Sequence, residues 1–127
     1  MLMAFYPLNA EERSVKRVKK VTELWFRSNR RIKKVNPDKI LYCEYQDGYI
    51  NVMLTDGEII RVYNFLSRLE NELEETKFFR IHRNRLVNLK QIVQVNKNTG
   101  MIRLKGNLDM SITPGRLEEL ELTINCI

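Results

Sequence analysis

The stretch that decides the fold is FFRIHRNRLVN, residues Phe78–Asn88. Apolar and cationic side chains alternate from Phe79 to His82. Because successive side chains of a strand point to opposite faces, Arg80 and His82 are expected on one face and the apolar side chains on the other. The stretch holds three arginines, the only histidine of the chain and no acidic residue. We therefore predict a strand that packs on a core and presents donors to an anionic ligand.

The residues after His82 break the alternation. Arg83-Asn84-Arg85 is predicted to be a polar loop, after which Leu86-Val87 re-enters the core. His82 is expected to position this loop through a hydrogen bond. Asn88 is expected to form structural hydrogen bonds that support the site, since its side chain both donates and accepts.

The charge of the chain is unevenly distributed. Residues 1–36 carry a net charge of +7 and residues 37–127 a net charge of −1. Within the second part, residues 64–75 have a net charge of −3 and residues 76–116 a net charge of +8. A local basic field of this kind attracts phosphate, although charges that balance in three dimensions would give the same count.

The 127 residues suffice for one domain, and no apolar run approaches the roughly 20 residues of a membrane helix. The apolar stretch at residues 1–7 is too short and too aromatic for a signal peptide and has no basic segment before it. Cys43 and Cys126 make no zinc pattern and are expected to be reduced thiols in the cytoplasm. We expect no membrane contact through a spanning segment.

Residues 9–26 have the pattern of a basic amphipathic helix. Asn9 can cap it, Glu12 completes a capping box, and Ser28-Asn29 is expected to end it. Its apolar stripe consists of Val15, Val18, Val21, Leu24 and Trp25. The stripe is expected to pack on protein, and a membrane surface or DNA are the alternatives.

From Arg30 onward the periodicity of two predicts a mainly β fold of antiparallel sheets. The predicted strands are Arg31–Val35, Ile40–Tyr45, Tyr49–Leu54, Glu58–Tyr63, Phe78–His82, Gln91–Val95, Met101–Lys105 and Leu108–Ile112. Turns are expected at Asp47-Gly48, Asp56-Gly57, Asn98-Thr99-Gly100 and Gly106-Asn107. One internal helix, capped by Asn64, is predicted to bury Phe65, Leu66, Leu69 and Leu73. A last short helix is predicted to begin at Thr113-Pro114 and to include Leu117 and Leu120.

The sequence contains no signature of catalysis. It has one His, no Gly-rich phosphate loop, and neither an HExxH nor a GxSxG motif. A metal site needs at least three ligands, and His82 lies among cations. We therefore predict a binding protein that is not an enzyme and has no metal and no cofactor.

Several motifs in their order resemble one family of binding domains. Residues Phe78–Asn88 closely resemble the signature of the LytTR-type DNA-binding domain, the output domain of many bacterial response regulators. Ile40–Tyr49 resembles that family's first strand pair and turn, Asn64–Leu73 its internal helix, and Ser111–Leu120 its last segment. The resemblance covers roughly residues 30–122, and the order of several motifs is more specific than any single motif.

The resemblance implies an elongated, mainly β domain at residues 29–124, which reads DNA through loops and follows an N-terminal helix or linker at residues 1–28. It implies a sequence-specific transcription regulator in the bacterial cytoplasm. The implied partners are double-stranded DNA with paired or tandem half-sites, a second copy of the chain on DNA, and a receiver domain or sensor kinase. Residues 1–28 are too short for a receiver domain, so they are either the tail and linker of one or an added helix.

The family's contacts fall on three clusters of this chain. Tyr49 and Arg83 fall at base-reading positions, and an arginine can hydrogen bond guanine O6 and N7. In the third cluster the family often has Ser-x-Arg, whereas this chain has Thr113 and then Gly115, so that Arg116 is displaced by one residue. Either Arg116 substitutes with a shifted geometry or the third contact is lost. The full set of predicted DNA-binding residues is Tyr49, Arg83, Asn84, Arg85, Lys105, Thr113 and Arg116.

Two other classes of function stay open. The missing arginine at Gly115 leaves open a protein-interaction module of the same fold that antagonises a related regulator through the Trp25 helix and does not bind specific DNA. RNA binding is the third class, and the scarcity of paired aromatic residues argues against it.

Overall fold

The computed structural model describes residues 23–73, 77–124 and 126–127. The described residues form strands β1 Leu24–Ser28, β2 Arg31–Val35, β3 Ile40–Gln46, β4 Tyr49–Leu54, β5 Ile59–Val62, β6 Phe78–His82, β7 Arg85–Asn88, β8 Ile92–Asn96, β9 Met101–Leu104 and β10 Leu108–Ser111. Helix α1 spans Leu66–Leu73 and helix α2 spans Pro114–Thr123. The predicted mainly β fold with antiparallel sheets is confirmed.

The strands form three sheets. A central five-stranded sheet has the order β5-β4-β3-β7-β6, and all of its strand pairs are antiparallel. Strands β1 and β2 form a separate hairpin, and β8, β9 and β10 form a three-stranded sheet. Since neighbouring strands of the central sheet run in opposite directions, its turns collect at its two ends, and this placement decides where the polar loops meet.

The two faces of the central sheet bury different layers. One face packs on α1 and the β1–β2 hairpin, with Ile50, Val52, Leu73 and Leu86 among its buried side chains. The other face packs, through Ile81 and Val87 among others, on the three-stranded sheet and α2. Each buried aliphatic side chain contributes about 1.5–3 kcal/mol. The central sheet is therefore held from both sides, and the loops at its ends extend from a rigid scaffold.

The predicted N-terminal helix is wrong where the structure describes it. Residues 9–22 lie outside the described part, but Leu24, Trp25 and Phe26 belong to β1 and not to a helix. Phe26 is buried while Trp25 is 65% exposed, which is the alternation of a strand. Asn29 has a positive φ of 62° and turns the chain into β2, so the hairpin replaces the expected helix end. The division of the chain at residue 28 stays a prediction.

Two smaller expectations also need correction. Arg85 is not part of the polar loop but begins strand β7, which leaves a turn of two residues, Arg83-Asn84. Phe65 precedes α1 and is 69% exposed, so it does not share the buried face of that helix. The predicted last helix is present as α2, which includes Leu117 and Leu120 and extends to Thr123. Neither described helix is long and apolar enough to cross a lipid bilayer.

Candidate nucleic-acid interface

Two turns lie side by side at one end of the central sheet. Asp47 and Gly48 join β3 to β4 and both have positive φ, 52° and 89°, as a two-residue hairpin turn of type I′ requires. Arg83-Asn84 joins β6 to β7. The backbone N–H of Tyr45 donates to the carbonyl of Asn84 over 2.8 Å and so connects the two turns.

Side chains from β6 hold the backbone of the Arg83 turn. The His82 Nδ1 accepts a hydrogen bond from the Asn84 N–H at 3.2 Å. The Arg80 Nη1 donates to the carbonyl oxygen of Arg83 at 2.7 Å, and Arg80 is in turn paired with Glu70 of α1 at 3.1 Å. An Nδ1 that accepts places the proton of neutral His82 on Nε2. The expected positioning hydrogen bond of His82 is therefore present.

Arg83 itself projects from this turn as an exposed side chain. Within the described residues its guanidinium makes no ion pair, in contrast to that of Arg80. A guanidinium without an ion pair breaks no such contact when it binds a ligand. It therefore loses less free energy on binding than a paired guanidinium does. Arg83 is the predicted contact residue whose placement suits an anionic or base-edge ligand best.

Arg85 is directed differently from Arg83. Its Nη2 donates to Glu44 Oε2 on the neighbouring strand at 2.6 Å, and its side chain is only 27% exposed. The Arg85 Nε is buried and has no hydrogen-bond partner among the described residues. The ion pair of Arg85 therefore neutralises the Glu44 carboxylate. This placement suits a supporting residue better than a DNA contact.

Tyr49 begins β4, directly after the Asp47-Gly48 turn. Its ring packs edge-on against Tyr63, with 5.9 Å between the centroids and 63° between the planes. The guanidinium carbon of Arg61 lies 4.0 Å from the centroid of the Tyr49 ring. Ile50 and Ile60, the neighbours of Tyr49 and Arg61 along their strands, are buried on the face that packs against α1. The side chains of Tyr49, Arg61 and Tyr63 therefore lie on the opposite face of the sheet.

Tyr49 and Arg83 lie at the same end of the sheet. In the strand order, β3 alone separates β4 from β7, and neighbouring strands lie about 4.8 Å apart, which puts the two turns roughly 10 Å from each other. Asn84 lies half-buried between them. The structure therefore brings Tyr49, Arg83 and Asn84 together at one end of the central sheet, and we call this end with its two turns the edge.

The third predicted cluster lies beside this edge. The N–H of Thr113 donates to the carbonyl of Ile81 at 2.9 Å, which places the start of α2 next to β6. The Thr113 carbonyl accepts from two N–H groups of the first turn of α2, and Pro114 has no N–H to offer. Few backbone donors are left at this helix start for a phosphate. Thr113 does line a shallow depression together with His82 and Arg83.

Arg116 does not project toward the Arg83 turn as a free cation. Its Nε donates to the carbonyl oxygen of Arg80 at 2.9 Å, and its guanidinium carbon lies 4.6 Å from the centroid of the Phe79 ring. It also forms an ion pair with Glu119 one turn further along α2. Arg116 therefore fastens α2 to β6. The position of the family's missing arginine is occupied by Gly115, which has no side chain.

Lys105 and Asn88 lie at the opposite end of the central sheet from Arg83. The Lys105 N–H donates to the Gln91 carbonyl at 2.8 Å in the region that precedes β8. Asn88 is 1% exposed, its Nδ2 donates to the Ile40 carbonyl at 2.9 Å, and its Oδ1 accepts from the Lys90 N–H at 3.0 Å. The expected structural hydrogen bonds of Asn88 are present, but they stabilise the far ends of β3 and β7. Lys105 is a DNA contact only if the duplex also reaches that end.

Carboxylates near the edge are largely neutralised by arginines. The ion pairs are Glu44 with Arg85, Glu70 with Arg80, and Glu119 with Arg116. Burial raises the pKa of the Tyr42 phenol, and the Glu44 carboxylate adds to the increase, so this tyrosine stays neutral. Asp47 is the turn carboxylate that makes no ion pair within the described residues. Among the described residues, no group of three or more His, Cys, Asp or Glu side chains could hold a metal ion.

Comparison with known proteins agrees with this architecture. The model of the LytTr DNA-binding domain family matches residues 30–125. The chain belongs to the LytTR family. A solved structure of the LytTr DNA-binding domain of a response regulator from Bacillus cereus is 14% identical, with a TM-score of 0.71, and the match covers 84% of this chain and 100% of that one. At that identity the likeness concerns the fold. No curated protein matches the chain.

Two residues of this LytTR edge escaped the sequence-based prediction. Arg61 was not expected to contact Tyr49, although the Asp56-Gly57 turn and strict pairing of β4 with β5 imply their proximity. Arg80 was expected to present a donor to a ligand, whereas it holds the Arg83 turn. The signal for Arg61 was the register of a hairpin. No sequence signal identified Glu70 as the partner of Arg80.

Proposed function

We propose that this chain is a sequence-specific DNA-binding regulator of transcription that reads duplex DNA through the Tyr49 and Arg83 turns. The observation that carries the proposal is that Arg83 is exposed and, among the described residues, unpaired on a turn that other side chains hold in place. Its side chain is exposed and makes no ion pair within the described residues, while Arg80 and His82 hold the backbone of its turn. Membership of a family of DNA-binding domains supports the same conclusion.

The geometry fits one groove of a duplex. Arg83 on a fixed turn can direct its two parallel N–H donors at guanine O6 and N7. The separation of roughly 10 Å between the two turns corresponds to about three steps of 3.4 Å along one strand. At this spacing we expect the side chains of Tyr49 and Arg83 to reach the same groove.

The proposal includes the wider setting of the regulator. Two copies occupy paired or tandem half-sites, and a receiver domain or a sensor kinase controls the chain in the bacterial cytoplasm. The proposal also includes an N-terminal segment distinct from the DNA-binding domain. Because Phe26 is buried in the domain core, we place the end of this segment before β1 and not at residue 28.

Selection of bound duplexes from a random pool tests the proposal. We expect one enriched motif, repeated at a fixed spacing, whose preference at one base pair relaxes in Arg83→Ala. That variant should lose about 1–3 kcal/mol of binding free energy on the enriched duplex, because a bidentate arginine–guanine contact is worth this much. Lys39→Ala is the matched control, since Lys39 is an exposed cation at the other end of β3. A pool that yields no enriched motif contradicts the proposal.

A protein-interaction module is the second candidate, and one observation favours it. The β1–β2 hairpin, β5 and α1 border a groove of about 680 Å³ lined by apolar side chains such as Leu24, Phe26, Val62 and Leu69. The exposed ring of Trp25 lies at this groove, and the third cationic contact of the DNA edge is missing at Gly115. Titration with mixed duplex DNA at low and high salt separates the candidates. A protein-binding module shows weak binding with a shallow salt dependence.

A further inference from the structure

Arg61 of β5 is held by an aromatic ring and not by a carboxylate. Its guanidinium carbon lies 4.0 Å from the Tyr49 centroid, which is the distance of a face-on cation–π contact. Tyr63, which directly follows β5, packs edge-on against the same ring. Arg61 is exposed to solvent while its guanidinium lies on a ring that is itself fixed.

The electrostatic state of Arg61 differs from that of the other arginines that surround the two turns. Arg80, Arg85 and Arg116 are each paired with a glutamate. Arg61 makes no ion pair and no side-chain hydrogen bond within the described residues, and only Arg83 shares this state at the two turns. The in-plane N–H donors of a guanidinium stacked on a ring remain available, because the ring contacts the face of the group.

The position of Arg61 indicates which part of a duplex it meets. Tyr49 and Tyr63 occupy the end of the sheet, whereas Arg61 lies two residues back along β5, which is about 7 Å from that end. A duplex groove that receives the turns places bases at the sheet end and places its phosphates further back, on the flanks. A planar guanidinium with free edge donors suits two oxygens of one phosphate.

We propose that Arg61 is a DNA-phosphate contact of this chain, and that stacking on Tyr49 orients its guanidinium for that contact. The proposal rests on the DNA-binding function proposed above and deepens it. Arg61 supplies affinity on the Tyr49 side of the interface, whereas Arg83 supplies base preference. Tyr49 then has two tasks, since its ring also determines where Arg61 points.

Binding of the selected duplex and of an unrelated duplex of equal length, each measured over a series of salt concentrations, tests this inference. Arg61→Ala is expected to weaken both complexes by the same factor, about tenfold. The slope of log affinity against log salt should become shallower by about 0.9. Arg61→Gln removes the charge but keeps an unbranched stem with amide donors, and it should lower the slope equally. Lys39→Ala, remote from both turns, should leave the slope unchanged.

Replacement of the ring tests the orienting role. Tyr49→Leu removes the stacking surface, and we expect the effect of Arg61→Ala to be smaller in that background than in the wild-type chain, because the two side chains act together. Thermal melting of each variant checks that the domain is folded. If Arg61→Ala were too unstable to measure, Arg61→Gln would carry the same expected change in slope.

The outcomes separate this inference from the proposed function. Wild-type affinity and salt slope in both Arg61 variants, with base preference still lost in Arg83→Ala, overturn the phosphate contact and leave the function intact. Weakening on the selected duplex alone, with an unchanged slope, also overturns it, because that result marks a base contact. A wild-type chain that binds neither duplex overturns both proposals.

Discussion

The Arg116→Ala variant tests whether Arg116 stabilises the fold or reads a base of DNA. In the structure the Arg116 side chain, 35% exposed, donates from Nε to the Arg80 carbonyl and lies over the ring of Phe79. A hydrogen bond from a charged group contributes about 1.5–3 kcal/mol, and a cation–π contact about 0.5–1 kcal/mol. The ion pair with Glu119 lies at the surface and adds little. We therefore expect Arg116→Ala to lower the free energy of unfolding by roughly 2–4 kcal/mol.

For a domain of this size, that loss corresponds to a decrease in melting temperature of roughly 10–20 °C. Circular dichroism or differential scanning calorimetry measures it directly. Arg103→Ala is the control, because Arg103 also binds a carboxylate through its guanidinium but lies exposed on the three-stranded sheet. That variant should melt close to the wild-type temperature.

The Arg116→Ala variant should bind DNA with unchanged base preference when it is assayed well below its melting temperature. An Arg116→Ala chain that melts like Arg103→Ala but prefers a different base at one position refutes this reasoning. It would mean that Arg116 leaves Phe79 and enters the groove in place of the arginine that Gly115 lacks. Arg116→Lys sharpens the test, since it keeps the charge but cannot reproduce the Nε hydrogen bond.

Three further predictions follow from buried or paired groups. Asn88→Ala should lower the free energy of unfolding by about 2–4 kcal/mol in chemical denaturation, because it leaves buried backbone groups without partners, and loss of under 1 kcal/mol would contradict the assigned bonds. Burial raises the pKa of the Cys43 thiol, so a thiol reagent at pH 8 should modify exposed Cys126 in the native chain and Cys43 only after unfolding. The hydrogen bond from Arg103 lowers the pKa of Asp109, so this pair stabilises the fold above the carboxyl's unfolded pKa and loses that effect as pH falls through the folded one. For this exposed pair the difference in stability between wild type and Asp109→Asn should be small at neutral pH and should vanish in acid, and a gap that persists at low pH would exclude this cause.

Most of the central architecture could be predicted from local pattern. Alternation of apolar and polar residues identified β2 and β4 with the observed bounds, and the Asp47-Gly48 turn has the positive φ values that its residue types favour. The β1 strand could not be identified in this way. Leu24, Trp25 and Phe26 fit the end of a helical stripe as well as a strand, and the choice depends on pairing with β2 and on burial of Phe26.

For the candidate site, too, one part could be predicted from the sequence and another could not. The residues of the Arg83 turn and Tyr49 were predicted as contacts from the resemblance, and the structure places them at one end of one sheet. Whether they contact DNA stays a prediction. The placement of Lys105 at the other end of the sheet depends on the packing of the β9–β10 turn against Gln91, which local pattern does not encode.

The sequence by itself determined the strands, the tight turns and the family, because these depend on residues that are neighbours along the chain. Only the tertiary structure decided which arginines are free. Arg85 meets Glu44 and Arg116 meets the carbonyl of Arg80, over separations of 41 and 36 residues, while Arg61 meets a ring and Arg83 meets solvent. A guanidinium binds whichever acceptor the folded chain brings within about 3 Å, and that acceptor is set by sheet register and helix packing.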